Sequence, residues 1–372
     1  MDDKLELIIE CSDTQLPEGL CRIRYALPLI GCLAVEISPK NLDILKKAGT
    51  IKAIHRIPHI TAQMNKARRA VNADSLQYDG SGITIAFLDT GISPTKDFEG
   101  RILVFRDFIN GRTAPYDDNG HGTHVTGIAC GSGVLSGGKY RGIAPSASIA
   151  SLKTLDSTGK GSAADILAGM QWIYDNKSKY NIRIVNLSIG TSAASGEDPL
   201  VRAAEALWDS GITVICAAGN NGPAPCTISS PGISRKIITV GSSDDENETS
   251  IWGMALKNFS GRGPTLDCVI KPDILAPGSS IVSCLSADAK REDIKIRDKY
   301  YQILSGTSMS TPIVAGAAAA LLQKDPTLTP DDIKYMLART SVRLGFPRNR
   351  EGWGLLDAGA LLSQEVYHVR NK

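Results

Sequence analysis

Three short segments of this chain bring together residue types that can break an acyl bond. In Leu88-Asp89-Thr90-Gly91-Ile92 a carboxylate closes an aliphatic run. In an open parallel sheet strand C-termini line the functional crevice, and a carboxylate there can equally well cap a turn or helix. In Asn119-Gly120-His121-Gly122-Thr123-His124-Val125 an imidazole stands between two glycines, so a substrate can approach its ring closely. The same segment also reads as a surface histidine at a helix start, or as a metal pair with His124. No further Cys, His or paired carboxylate stands at ligand spacing, so the reading assigns no metal. In Leu304-Ser-Gly306-Thr307-Ser308-Met309-Ser310-Thr311-Pro312 a serine opens an apolar helix, where free N–H groups and the helix dipole stabilise developing negative charge. An N-cap needs one hydroxyl, and this segment offers five around a Gly and a Met. It is not G-x-S-x-G, which argues against a nucleophile elbow.

The elements that must position these residues follow from hydrophobic pattern. A buried strand over 83–88 precedes helices at roughly 121–131, 162–178 and 198–210. Strands fall between them at roughly 148–153, 183–188, 212–217 and 236–240, and helices at about 308–323 and 330–340 close the region. Each strand is a continuous aliphatic run, the signature of a parallel sheet covered on both faces. The expected class is α/β, a doubly wound, mainly parallel sheet with helices on both faces. The first 60 residues or so read differently. Short strands at 5–9, 21–27, 32–37 and 51–57 surround one helix, which is opened by Ser38 and Pro39, carries an apolar stripe of Leu42, Ile44 and Leu45, and ends at Gly49. That is a small α+β unit. The polar, basic stretch 65–79 has the composition of a linker. The expected division is therefore 1–64, linker 65–79, and 80–372.

Asp, then His, then Ser is the chain order of the subtilisin triad. The sequence resembles the subtilase family of serine peptidases. The resemblance rests on Asp89-Thr-Gly91, His121-Gly-Thr-His124, Ala217-Ala-Gly-Asn220 and Gly306-Thr-Ser-Met-Ser-Thr-Pro312, and covers about residues 80 to 360. It implies that Ser308 is the nucleophile, His121 the general base and acid, and Asp89 the residue that orients the imidazole. It implies that Asn220 donates to the oxyanion beside the Ser308 N–H. It further implies that a peptide substrate docks as an extra strand between Thr158–Ser162, with Gly159, Lys160 and Gly161, and Leu187–Gly190. The pocket for the residue before the scissile bond would be bounded by Ser188, Ile189 and Gly190 and by Ala217, Ala218 and Gly219. Its small walls suggest broad specificity with large apolar side chains, and Lys160 suggests a place for acidic ones.

By the same resemblance the N-terminal unit is a ferredoxin-like propeptide, an intramolecular chaperone and inhibitor whose tail over 57–64 could lie in the groove and be cleaved somewhere in 60–72. The first helix of that pattern is short or missing between Cys11 and Cys21. The segment Gly131–Gly142 is Gly-, Ser- and Lys-rich where secreted relatives carry a calcium loop, and it resembles the AprX-type intracellular branch. No cofactor is required on this reading, although a weak structural calcium elsewhere remains open. The start, Met1 to Glu10, is acidic and lacks an apolar signal region, and the longest apolar run, 313–322, is too short to span a bilayer. A cytoplasmic protein without membrane partners is expected. Lys+Arg is 41 against Asp+Glu 39, a net charge of +2 with no basic run, which argues against nucleic acid, while the resemblance implies polypeptide substrates and the chain's own N-terminal segment as partners. A catalytically silent subtilase acting as a binding protein, and an esterase, are the competing readings.

Overall fold

The computed structural model describes residues 5–11, 19–27, 32–47, 51–56, 64–191, 198–246, 248–251, 254–289 and 295–369. The chain divides into two units, Met1–Thr61 and Ala62–Lys372. In the first, strands β1 (Leu5–Cys11), β2 (Cys21–Leu27), β3 (Cys32–Ile37) and β4 (Ile51–Arg56) form a sheet in the order β2-β3-β1-β4, with every neighbouring pair antiparallel. Helix α1 (Pro39–Lys47) follows β3, and the Ser38 hydroxyl accepts from the Asn41 N–H at 3.2 Å, as an N-cap should. Alternate residues Leu7 and Ile9, and Leu33, Val35 and Ile37, pack with Leu45 into a small core. Ile44 does not join the expected stripe. Leu42 and Leu45, three apart, share a face, and Ile44 falls off it and is 48% exposed. The segment between Cys11 and the turn before Cys21, and the tail over 57–63, lie outside the described residues.

The second unit runs α2 (Met64–Ala70), β5 (Thr84–Asp89), β6 (Ile102–Asp107), α3 (His121–Cys130), β7 (Ser148–Lys153), α4 (Ala163–Asn176), β8 (Ile182–Leu187), α5 (Pro199–Asp209), β9 (Thr213–Ala217) and β10 (Ile238–Ser242). It continues with β11 (Thr249–Ile251), β12 (Met254–Leu256), β13 (Ile274–Ala276), β14 (Ile281–Cys284), β15 (Lys295–Ile296), β16 (Tyr301–Leu304), α6 (Thr307–Lys324) and α7 (Pro330–Thr340). Seven strands form one parallel sheet in the order β13-β10-β9-β8-β5-β7-β6. Helices α3 and α6 pack on each other, as do α4 and α5. The sequence pattern missed the sheet's two outer strands, β6 and β13, and a separate antiparallel sheet β14-β16-β15.

Helix α6 is buried on every side from Met309 to Leu322, which explains why its sequence lacks an amphipathic stripe. Residues 65–79 are not a free linker. Ala67, Val71 and Ala73 belong to the main core, and the buried Arg68 guanidinium donates to the carbonyls of Gly142 and Ala73. A charged residue is accepted there because backbone carbonyls take its donors. Among the described residues no helix is long and apolar enough to cross a membrane.

Candidate active site

Asp89 is the last residue of β5, which β8 and β7 flank where the strand order reverses. In open α/β sheets that is where ligands bind. Helix α3 begins beside it, with His121 as its first residue. The opening N–H groups of a helix need acceptors, and Gly120, at φ 95°, brings no side chain. Asn119 Oδ1 accepts from the His121 N–H at 3.2 Å, and Asp117 and Thr90 supply the rest. Asp117 is fully buried; its Oδ1 accepts from the N–H of Asn119 (3.2 Å) and Gly120 (2.8 Å) and from the Thr90 hydroxyl (2.8 Å). Its Oδ2 accepts from the N–H and hydroxyl of Thr123 at 2.8 and 2.6 Å. The Thr90 oxygen in turn accepts from the Gly122 N–H at 2.9 Å. Glycine is needed at 122, since a Cβ there would stand 2.3 Å from the Gly91 carbonyl oxygen.

This frame sets His121 Nδ1 2.7 Å from Asp89 Oδ1, which also accepts from the Thr90 N–H at 2.7 Å. A carboxylate facing Nδ1 holds the proton on that nitrogen and leaves Nε2 as the basic one. Both side chains are buried, Asp89 at 1% and His121 at 6% exposure. His124 turns elsewhere. Its Nε2 donates to the Ile281 carbonyl on β14 at 3.0 Å, and full burial pushes its pKa down to about 3. The two imidazoles therefore do not converge as a metal pair.

Ser308 is the second residue of α6, behind Gly306, whose φ of 139° few other residues tolerate. Pro312 lies four residues on and has no N–H, so the Ser308 carbonyl receives no helical hydrogen bond. The Ser188 hydroxyl donates to it instead, at 2.8 Å, and the Ser308 hydroxyl donates to the Ser188 carbonyl at 3.0 Å. The two serines clasp each other across the end of β8. The Thr307 N–H and hydroxyl both donate to Asn220 Oδ1, at 3.0 and 3.1 Å. With its oxygen so engaged the Asn220 amide is fixed at the cavity that it lines, and among the described residues its Nδ2 donates to no other group.

A cavity of about 650 Å³ spans these groups. Gly159, Lys160, Gly161, Ser188, Ile189, Gly190, Ala217, Gly219 and Asn220 line it together with His121 and Ser308. Asp89 stands behind His121, and Ala218 does not reach the cavity at all. The pleat that turns Ala217 and Gly219 outward turns Ala218 inward, where it is fully buried against Val201, Ile228 and Ile233. The expected edge at 158–162 is partly a closed loop. Asp156 takes the amides of Gly159, at its carbonyl, and of Lys160, at its side chain, both at 3.0 Å, while its own N–H donates to the Lys160 carbonyl. The Lys160 side chain is exposed on that loop, and among the described residues no acidic side chain lines the cavity.

Two further residues escaped the sequence reading. One is Asp117. The other is Lys153, fully buried at the end of β7 in register with Asp89. Its ammonium donates to the carbonyls of Thr90 and Leu155, at 2.6 and 3.0 Å, and to Asp118 at 2.7 Å. It ties the strand end that carries Asp89 to the loop that borders the cavity. A lysine closing an otherwise apolar strand, Ser148-Ile-Ala-Ser-Leu-Lys153, was the available signal.

Calcium fits poorly at segment 131–142. The nearby buried carboxylate, Asp97, already accepts from the Tyr301 hydroxyl (2.6 Å), the Leu135 N–H (3.2 Å) and the Ser132 hydroxyl (3.3 Å). Protein donors occupy the oxygens that a hard cation would need.

Comparison with known proteins places this geometry in context. Residues 80–354 match the model of the subtilase family. The chain is 43% identical over 338 residues to Serine protease AprX of Bacillus subtilis (strain 168), covering 86% of this chain and 76% of that protein. It is 34% identical over 281 residues to Subtilisin Savinase of Lederbergia lenta, covering 76% and 91%. A solved cold adapted subtilisin-like serine proteinase aligns with TM-score 0.60 at 30% identity, over 76% of this chain and 91% of that one. The chain belongs to the subtilase family. Its activity is that of a subtilisin-like serine protease.

Proposed function

We propose that Ser308, His121 and Asp89 hydrolyse internal peptide bonds with Asn220 as the oxyanion donor. The observation that carries this reading is the 2.7 Å His121–Asp89 contact on a cavity that Ser308 and Asn220 share. Ser308 Oγ turns from the Ser188 carbonyl toward His121, gives its proton to Nε2 and attacks the scissile carbonyl carbon. The oxyanion that forms is met by Asn220 Nδ2 and the Ser308 N–H. Asp89 Oδ2, buried without a hydrogen bond among the described residues, leaves that carboxylate's charge available to the imidazolium. Collapse of the tetrahedral intermediate breaks the C–N bond, and His121 passes its proton to the departing amine. Water then repeats the sequence on the acyl-enzyme and regenerates Ser308. No step needs a cofactor.

Backbone groups at Ser188–Gly190, small walls at Ala217 and Gly219 and the apolar Leu155, Ile166 and Met170 suit many peptide sequences, and Lys160 favours an acidic side chain near it. A fluorophosphonate probe should label Ser308, and Ser308→Ala should abolish both labelling and casein cleavage. A wild-type protein that neither labels nor cleaves, once its N-terminal unit is removed, would overturn the reading. The N-terminal unit acts as chaperone and inhibitor: a polypeptide of residues 1–64 should inhibit the protease, and deleting it should impair refolding. Unaltered refolding with no inhibition would count against that role.

A further inference from the structure

Strands β11 and β12 form a hairpin where the sequence offers only an acidic loop and a short apolar run. They pair with Thr249 opposite Leu256 and Ile251 opposite Met254. That register puts Thr249, Ile251, Met254 and Leu256 on one face and Ser250 on the other. The two faces border different spaces. Ile251, Met254 and Leu256 line the cavity of about 650 Å³. Ser250 lines a second cavity of about 20 Å³, together with Leu304, Ser305 and Met309. Both cavities reach His121, Asn220 and Ser308. The hairpin thus borders both spaces beside the reacting centre, although Thr249, on the face of Ile251, reaches Ser305 of the smaller one.

Its position is fixed from the catalytic side. The Thr249 and Ser305 hydroxyls share a hydrogen bond of 2.5 Å, and the Ser305 oxygen also accepts from the Ser280 N–H at 2.8 Å. Ser305 directly precedes Gly306, the N-cap of the helix that carries Ser308. Gly159, Lys160 and Gly161, expected to dock the peptide, and Ser188, Ile189 and Gly190, expected to bound the pocket for the residue before the scissile bond, border the larger cavity and not the smaller. The smaller one touches Ser308 without those segments, which leaves it to the part of the substrate that follows the bond.

We infer that hairpin β11–β12 selects the substrate residue that follows the scissile bond, with Ser250 restricting that residue to a small side chain. The inference rests on the triad reading above. That space is a shallow depression open to solvent beside the exposed Ser250, with room for roughly one water, about 20 Å³, below its rim. A methyl or hydroxymethyl group can take that volume. An isobutyl or benzyl group overfills it, and either displaces the hairpin from Ser305 or lies across the open rim with less contact to Leu304 and Met309.

The test uses internally quenched peptides that differ only in the residue after the cleaved bond, Ala against Leu or Phe, with the cut confirmed by mass spectrometry. Wild type should favour Ala by about tenfold or more in kcat/KM, the discrimination that a few methylenes against a pocket wall provide. Ser250→Gly should cut that preference by about threefold or more, and Ser250→Phe should steepen it. The readout is a ratio on one preparation, so loss of folded enzyme cancels. Equal kcat/KM for Ala and Leu in the wild type, or a ratio unmoved in both variants, overturns the inference. A peptide nitroanilide carries no amino acid after the bond and keeps the two readings apart. Failure of the wild type to hydrolyse it sinks the triad reading; its hydrolysis with a flat Ala/Leu ratio sinks the hairpin reading alone.

Discussion

Two helices begin at the active site, and they begin in opposite ways. Both α3 and α6 have glycine at the N-cap and no capping side chain of their own. At α3 the deficit is filled by a buried carboxylate, Asp117, which takes three backbone N–H groups and two hydroxyls. At α6 it is filled by a neutral amide oxygen, that of Asn220, which takes one N–H and one hydroxyl of Thr307. The Ser308 N–H donates to no group among the described residues. The first helix start has its positive end neutralised and carries His121. The second keeps its positive end and, among the described residues, an open donor at Ser308, as the proposed oxyanion would require. A glycine N-cap thus serves two ends, left-handed at Gly120 (φ 95°, ψ −9°) where the start is held by a charge, and at φ 139°, ψ 164° for Gly306 where it stays open for the proposed oxyanion.

The contrast breaks first at Asn220. Asn220→Ala should lower turnover by about 10²–10³, a magnitude carried over from subtilisin, with little change in KM or melting temperature. A loss below tenfold would mean that the open end of α6 is not where the oxyanion forms. Asp117→Asn should act on stability first, by about 2–3 kcal/mol in denaturant unfolding, because its NH₂ group cannot accept the bonds that the second carboxylate oxygen accepts. Turnover should fall with it as His121 loses its frame. Unchanged stability would show that the cap of α3 is elsewhere.

His124, in the first turn of α3, gives that end a pH signature. Its pKa is lowered by burial from 6.5 to about 3 in the folded chain. Above 6.5 both folded and unfolded states hold it neutral. As pH falls below 6.5 the unfolded state binds a proton that the folded state refuses until about pH 3, so stability is lost across that window. The loss between pH 6.5 and 5 should be about 2 kcal/mol, and His124→Gln should remove that part of the slope in thermal unfolding. A slope unaltered by the substitution would place the acid sensitivity elsewhere. The smallest effect belongs to Pro312→Ala. The new N–H can donate to the Ser308 carbonyl and compete with Ser188, so turnover should fall about fivefold, the worth of one hydrogen bond, without loss of stability. Unchanged turnover would make the Ser188–Ser308 clasp incidental.

How much of this the sequence disclosed depends on how local the signal was. Asp89, His121, Asn220 and Ser308 stand in short motifs that carry their own context. The parallel strands were plain as aliphatic runs, because a strand covered on both faces has no reason to alternate. Asp117 was hidden in the pair Asp117-Asp118, where nothing local separates a buried cap from a solvated turn. The hairpin at 249–256 was missed for a related reason: its strands are three residues each and adjoin an acidic loop. Ala218 was misplaced because a motif names neighbours in the chain, whereas the pleat decides which of them faces the cavity. Helix α2 was hidden under Arg68 and Arg69, since basic composition suggests solvent, whereas the carbonyls of Gly142 and Ala73, with Asp74 at 3.9 Å, make burial of Arg68 possible.

Helix α6 carries one more consequence. Its residues from Met309 to Leu322 have no solvent-facing side, so the helix has no route to partial opening that spares the rest of the sheet. Its backbone amides should be among the last to exchange with heavy water, at a rate set by global unfolding. Ser308 stands at the head of that helix. Heat should then take catalysis and structure together in one transition, with no inactive species that keeps its core while the nucleophile wanders.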